Sequence, residues 1–366
     1  LKSKLRYIAI ISLLLTTFIV ITPIAFAKTR SSYIIDFIYS TQTQGEGFGE
    51  NYEETAQALE VLKHYGAFTV EGLFGVEKKV DVDSLATYLE GKISDMFEDD
   101  EVNLYDLYYI MSSLNSLNSE IDNTIKTDIY EFVNQTAQVM GGFSLNYETN
   151  SPTIISTYFA YNIYSLLGVS MPNETIHKNW VLSCNNTDGG YGGNQSLSSN
   201  LLTTYYALSI ISDLGTIDDL ANKTATLQYL SGYYADDSYD IENYGGYYPD
   251  IHAKVTLLSS TYYCIMSINM INSSDLHKSA TTSWILTRQN FQDGGFSDNY
   301  EGYYQELSSV SSTYYAFKSL SLFDSLSFLD ENVFMVEFDY MILIILLSIV
   351  AIVIVIFLYI RRKRRI

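Results

Sequence analysis

The sequence predicts an all-α fold of six helical-hairpin repeats, and three observations predict it. A Gly-Gly-aromatic turn recurs at intervals of about fifty residues, a period that marks stacked repeat units. After a polar loop, each turn is followed by Thr-Tyr opening an apolar stretch with helical i, i+3, i+4 spacing. A second helix-forming stretch precedes the turns, as in His177–Cys184, Thr224–Tyr233 and Leu276–Gln289.

The first copy is shortened: Gly45-Glu46-Gly47-Phe48-Gly49 leads into Glu54-Thr55-Ala56-Gln57-Ala58-Leu59. The next double glycine, Gly141-Gly142, comes at about twice the period, so a degenerate copy is expected between them. Phe97-Glu98-Asp99-Asp100 followed by Leu104–Met111 fits that slot. The third copy pairs Met140-Gly141-Gly142-Phe143 with Ser156-Thr157-Tyr158-Phe159-Ala160. The fourth pairs Asp188-Gly189-Gly190-Tyr191 with Thr203-Thr204-Tyr205-Tyr206-Ala207. The fifth pairs Tyr244-Gly245-Gly246-Tyr247 with Ser260-Thr261-Tyr262-Tyr263-Cys264, and the sixth Asp293-Gly294-Gly295-Phe296 with Ser312-Thr313-Tyr314-Tyr315-Ala316. The Thr or Ser before the first tyrosine is expected as the N-cap of its helix, and the double glycine as the residue pair that tolerates positive φ in a tight turn. No hairpin this short buries its own apolar face, so neighbours must stack. Periodicity leaves open whether they form an open solenoid or a closed ring.

The chain ends read differently. Lys2, Lys4 and Arg6, an apolar run over Tyr7–Ile24 and an Ala25-Phe26-Ala27 site are the three parts of a secretory signal peptide. Met341–Ile360 carries no charge, long enough at 1.5 Å per residue for the roughly 30 Å hydrocarbon core. The adjoining Arg361-Arg362-Lys363-Arg364-Arg365 reads as cytoplasmic by the positive-inside rule. The expected organisation is a signal peptide at 1–27, an extracytoplasmic domain at 28–338, a transmembrane helix at 339–360 and a basic tail at 361–366. That is a single-pass type I protein of the cell membrane with its large domain outside.

All 42 acidic residues lie between Lys28 and Tyr340, against 13 basic ones, and Arg30 and Arg288 are the only arginines there. Such a domain repels phosphate backbones, which argues against a nucleic-acid partner. Two cysteines, Cys184 and Cys264, are too few for a disulfide scaffold. They can pair in an oxidising exterior, or, as the apolar setting of Cys264 favours, pack as small hydrophobes. Sequons at Asn134, Asn173, Asn185, Asn194, Asn222 and Asn272 are candidate glycosylation sites for an exported chain.

The Asp-Gly-Gly-aromatic turns with Thr-Tyr-Tyr-Ala helices resemble the repeat of prenyltransferases and squalene cyclases, in register over residues 40–325. The resemblance implies an (α/α)6 toroid, six inner helices ringed by six outer ones, with the Thr-Tyr helices inside. It does not imply an activity, because one fold hosts several chemistries. The family's zinc enzymes carry Asp-x-Cys and a histidine. Here Asp-x-Cys is missing, and Ser260 stands where Ser260-Thr261-Tyr262-Tyr263-Cys264 would have that histidine. A diphosphate pocket needs clustered cations, yet only Lys254 and Arg288 lie near the relevant repeats, and Arg288 is expected to be solvated on an outer helix. The cyclase acid Asp-x-Asp-Asp is matched neither by Asp81-Val82-Asp83-Ser84 nor by Glu98-Asp99-Asp100-Glu101, and the thioester Gly-Cys-Gly-Glu-Gln is absent.

No cofactor is expected. Asp236–Glu242 has the acid density of a calcium loop, but Ile241 and Tyr247 occupy the positions that would need Gly and Glu. Tyr158, Tyr205, Tyr206, Tyr262, Tyr263, Tyr314 and Tyr315 are the candidate cavity-lining residues. At about 100° per residue, one of each pair is expected to face the ring's centre. Further tyrosines (Tyr234, Tyr239, Tyr244, Tyr247, Tyr303) interleave with carboxylates (Asp236, Asp240, Glu242, Glu301), a pattern suited to sugars, although without a defined motif it is more often a filled core with solvated loops. The expected function is a non-catalytic module binding an extracellular protein or glycan. The alternatives are a divergent cyclase or prenyltransferase, or a glycan-active enzyme using cavity carboxylates.

Overall fold

The computed structural model describes residues 28–43, 45–72, 75–149, 151–215, 217–290, 292–298 and 308–333. The expected signal peptide and transmembrane helix lie outside these residues. Among the described residues, no helix is long and apolar enough to cross a membrane.

Twelve α-helices are described, and they alternate between two roles. The inner set is α2 (Tyr52–His64), α4 (Leu104–Ser116), α6 (Ile154–Leu167), α8 (Leu201–Asp213), α10 (Leu258–Asn272) and α12 (Val310–Leu322). The outer set is α1 (Arg30–Ser40), α3 (Val82–Glu98), α5 (Asn123–Thr136), α7 (Glu174–Ser183), α9 (Lys223–Ser231) and α11 (Lys278–Leu286). Each inner helix packs on the next inner one, and α12 packs on α2, so the inner layer closes on itself. Each outer helix leans on the inner helix that follows it. The choice between solenoid and ring is thereby settled as a toroid.

Three short antiparallel strand pairs complete the description. They are β1 (Lys28–Thr29) with β6 (Asn332–Val333), β2 (Gln42–Thr43) with β3 (Gly47–Phe48), and a hairpin of β4 (Thr69–Gly72) and β5 (Gly75–Lys78) after α2. The helical unit runs over Arg30–Glu331.

The repeated threonine has a different task from the expected one. The helix caps sit four residues earlier, at Asn51, Asn103, Thr153, Asn200 and Ser309, each accepting from a backbone N–H of the first turn. The threonine lies inside the helix, and its hydroxyl accepts the backbone N–H of the turn's aromatic residue. Thr157 holds Phe143 at 3.0 Å, Thr204 holds Tyr191 at 2.9 Å, Thr261 holds Tyr247 at 3.0 Å and Thr313 holds Phe296 at 3.0 Å. Thr55 does the same for Phe48 in the shortened first copy. A buried N–H that would otherwise lack a partner explains why this position is Thr in five repeats. In the degenerate repeat Leu107 stands there, and the turn after α3 has no double glycine to hold.

The second glycine of each of the four double-glycine turns lies flush against a ring on an outer helix. A Cβ on Gly246 would come within 2.5 Å of Trp284. Gly142 meets Trp180 and Gly190 meets Tyr229 in the same way, and Gly295 meets Phe37 on α1, so the outer layer closes as well. The turns also knit neighbouring repeats together. The N–H of Leu104 donates to the Leu145 carbonyl, and that of Ile154 to Gly193. At α10, whose N-cap is the apolar Leu257, the Asp298 carboxylate accepts the Leu258 N–H at 2.6 Å.

Candidate functional site

Counting from each N-cap, the fifth and sixth helical residues point into the ring. They are Tyr108 and Tyr109 on α4, Tyr158 and Phe159 on α6, Tyr205 and Tyr206 on α8, Tyr262 and Tyr263 on α10, and Tyr314 and Tyr315 on α12; all of these but Phe159, which packs behind Tyr108, reach the cavity wall. On α2 the same two positions are Ala56 and Gln57. The seven tyrosines singled out above all line one central cavity, joined there by Tyr108 and Tyr109. Both members of the Tyr205, Tyr262 and Tyr314 pairs face it, rather than one of each.

The rings stack in a regular sequence, the fifth residue of one helix on the sixth of the next. Tyr108 stacks on Phe159 at 5.3 Å, Tyr158 on Tyr206 at 4.2 Å, Tyr205 on Tyr263 at 5.4 Å and Tyr262 on Tyr315 at 5.1 Å. Hydroxyls close the remaining gaps, with Tyr205 and Tyr262 3.0 Å apart and Tyr263 and Tyr315 likewise 3.0 Å apart. The resulting aromatic staircase leaves a cavity of about 60 Å³, room for a few waters. Burial pushes the Tyr206, Tyr262 and Tyr314 phenols well above their ordinary range, and those of Tyr108 and Tyr315 up to about 12. The centre is therefore lined by neutral phenols at physiological pH.

The staircase breaks at α2, where two carboxylates stand instead. Glu53 accepts from the Tyr105 hydroxyl at 2.6 Å and from the Gln57 amide at 3.0 Å. Glu60, two turns on, accepts from the Tyr314 hydroxyl at 3.0 Å and from the Lys318 ammonium. Both carboxylates line the cavity, and sequence reasoning missed them together with Tyr108 and Tyr109. Counting five and six residues past the cap of each inner helix would have found the two tyrosines.

The other residues considered from sequence fall outside this site. Ser260 is buried on α10. Arg288 is not solvated: it is only 2 % exposed. Its guanidinium stacks over Trp284 at 4.6 Å and donates to the carbonyls of Glu242 and Asp298. The charge is held by aromatic and backbone dipoles, which is why this arginine, just past the end of α11, can be buried. Cys184 and Cys264 are free and buried, and burial pushes the Cys184 thiol up to about 12. Tyr247 is completely buried, holding the turn's core position, and Tyr303 lies outside the described residues. In the Asp236–Glu242 loop, Asp237 accepts the Tyr239 N–H and Asp240 holds Asn243. Among the described residues, no three His, Cys, Asp or Glu side chains converge as a metal would require. Of the sequons, Asn173, Asn222 and Asn272 are exposed, whereas Asn134, Asn185 and Asn194 are half-buried, with the Asn185 amide donating to Gly189 and Gly190 carbonyls.

Comparison with known proteins follows this geometry. The profile of the prenyltransferase alpha-alpha toroid domain matches residues 4–90, 76–178, 169–247 and 248–338. Among solved structures, the chain is similar to a Candida albicans protein geranylgeranyltransferase-I complexed with GGPP, at 17% identity and a TM-score of 0.54, covering 83% of this chain and 86% of that one. It is similar to a protein from Actinoplanes at 10% identity and a TM-score of 0.54, covering 81% and 98%. It is also similar to the type II terpene cyclase MstE from Scytonema at 9% identity and a TM-score of 0.51, covering 82% and 97%. At these identities the likeness is one of fold. No curated protein matches the chain.

Proposed function

The chain belongs to the prenyltransferase alpha-alpha toroid domain family, and from that premise we propose that it is a non-catalytic binding module, anchored in the cell membrane by one C-terminal span, with the toroid outside the cell and an extracellular protein or glycan as its partner. One observation carries the reading: the central cavity measures about 60 Å³, whereas ligand pockets usually measure roughly 300–1,000 Å³. An isoprenoid chain would have to displace the stacked tyrosines. Of the two cations near the relevant repeats, Lys254 and Arg288, the second is engaged elsewhere, donating to the Glu242 and Asp298 carbonyls.

The test is equilibrium binding of fluorescent farnesyl and geranylgeranyl diphosphates to the full-length protein, with turnover assays alongside. The expected result is no saturable binding and no product. Micromolar binding or any product formation would overturn the reading.

A second reading has one observation in its favour. Glu53 and Glu60 place carboxylates on the cavity wall, the groups a divergent cyclase or a glycan-active enzyme would use for proton transfer. Under that reading Glu53→Gln abolishes a measurable turnover. Under the binding reading there is no turnover to lose.

A further inference from the structure

A second groove lies outside the ring, between the loop at 236–244 and the start of α11. Its volume is about 680 Å³, within the range of sites that hold small ligands. The rings of Tyr234 and Tyr244 line it, with Ile241 beside them. Ser238, Ser279 and Ser283 add exposed hydroxyls, none bonded to another described side chain.

Its charge is unusual for this chain. Acidic residues outnumber basic ones 42 to 21 overall, yet no carboxylate lines the groove. Asp236, Asp237, Asp240 and Glu242 belong to the same loop but not to the lining. On the facing wall stand Lys278 and the imidazole of His277. A single ammonium beside four carboxylates does not make an anion site, because their summed field repels negative ligands.

The walls are fixed to one another. Trp284 Nε1 donates to the Glu242 carbonyl at 3.2 Å, where the buried Arg288 guanidinium donates too. Thr281 Oγ1 donates to the Gly245 carbonyl at 2.8 Å. Tyr234 stacks on His277 at 4.0 Å and 15°. These contacts tie the loop to α11 along the groove's length, so little ordering is left for a ligand to impose.

We propose that this groove binds a neutral oligosaccharide. Aromatic rings take the apolar C–H faces of sugar rings, free hydroxyls exchange hydrogen bonds with sugar hydroxyls, and a lining without carboxylates suits a ligand without charge. The assignment rests on the binding-module reading and names its ligand class and site. It also moves the sugar-facing aromatics away from Tyr247, which is buried.

The test is an array of neutral oligosaccharides of glucose, mannose, galactose and their N-acetyl forms, printed beside uronate-bearing glycans and probed with the full-length protein. The best hit is then titrated by calorimetry. Saturable binding is expected, weakened at least tenfold by Tyr244→Ala and by Ser283→Leu, and unchanged by Val139→Ala on a distant exposed turn. Both groove positions are exposed, so folding is expected to survive, and thermal melts of the variants check this. An array without hits overturns the proposal, as does binding that neither groove variant moves, or a preference for uronate-bearing glycans. None of these outcomes bears on isoprenoid binding at the ring's centre, so failure of the groove and failure of the binding-module reading stay distinguishable.

Discussion

Five inner helices present aromatic pairs to the axis of the ring, and the sixth does not. From α4 round to α12 each pair stacks on the next, whereas α2 offers Ala56 and Gln57, flanked by Glu53 and Glu60. The difference shows what a closed toroid of this kind requires. Identical pairs on all six helices would converge on an axis with space for little more. One helix with small and polar residues absorbs the crowding, and its carboxylates accept from the hydroxyls of Tyr314 in the staircase and of Tyr105 at the start of α4.

The sharpest way to break this contrast is to remove a ring. Tyr205→Ala takes out a residue that stacks on Tyr263 and bonds to Tyr262. Truncating a buried aromatic costs about 3–5 kcal/mol. Gln57→Ala, at the equivalent layer of α2, is expected to cost only about 1 kcal/mol, the worth of its hydrogen bond to Glu53. Urea unfolding midpoints measure both, and equal losses would mean that the staircase has no special role.

The converse is to complete the ring. Ala56→Tyr adds the missing aromatic, but the remaining space of about 60 Å³ is too small for a phenol. Overpacking of this sort costs about 1–3 kcal/mol. A stabilised variant would show instead that α2 is an unfilled site rather than a relief for crowding.

The two kinds of helix were not equally legible in the sequence. The repeats with a double glycine announce themselves, because each joins a Gly-Gly-aromatic turn to a Thr 13 to 17 residues downstream, and both signals are visible in the sequence. The repeat holding α3 and α4 has neither, so its position followed from spacing alone and Tyr108 and Tyr109 went unassigned. Thr was mistaken for a cap because capping is the commoner use of a Thr near a helix start. Its real partner, an aromatic N–H fourteen residues upstream at Phe143 for Thr157, is visible only in three dimensions. Ring closure depends on Gly295 meeting Phe37 and on α12 meeting α2, residues from opposite ends of the helical unit. No periodic pattern encodes that. The burial of Arg288 was hidden for the same reason, since its carbonyl partner at Glu242 lies on another loop.

The smallest expected effect separates the ring's inner and outer layers by pH. The central phenols are pushed upward by burial and stay neutral from acid to mildly basic conditions. His177 on α7 is different. It is 3 % exposed, stacks on Phe143 at 4.3 Å, and burial holds its pKa below the ordinary 6.5, against a smaller opposing hydrogen bond to Gly142. A group whose folded pKa is depressed binds fewer protons than in the unfolded chain, so its contribution is present above the unfolded value and is lost as pH falls through the folded one. The limiting slope for one such group is about 1.4 kcal/mol per pH unit, and it applies only below the unfolded pKa and until the folded group itself protonates. The midpoint of thermal unfolding is therefore expected to fall between pH 7.5 and pH 5 more steeply in the parent than in His177→Gln, whereas Tyr205→Phe leaves that slope unchanged. If both variants kept the parent's slope, the acid sensitivity would belong to the carboxylates alone, and the outer layer would be as indifferent to pH as the tyrosines it surrounds.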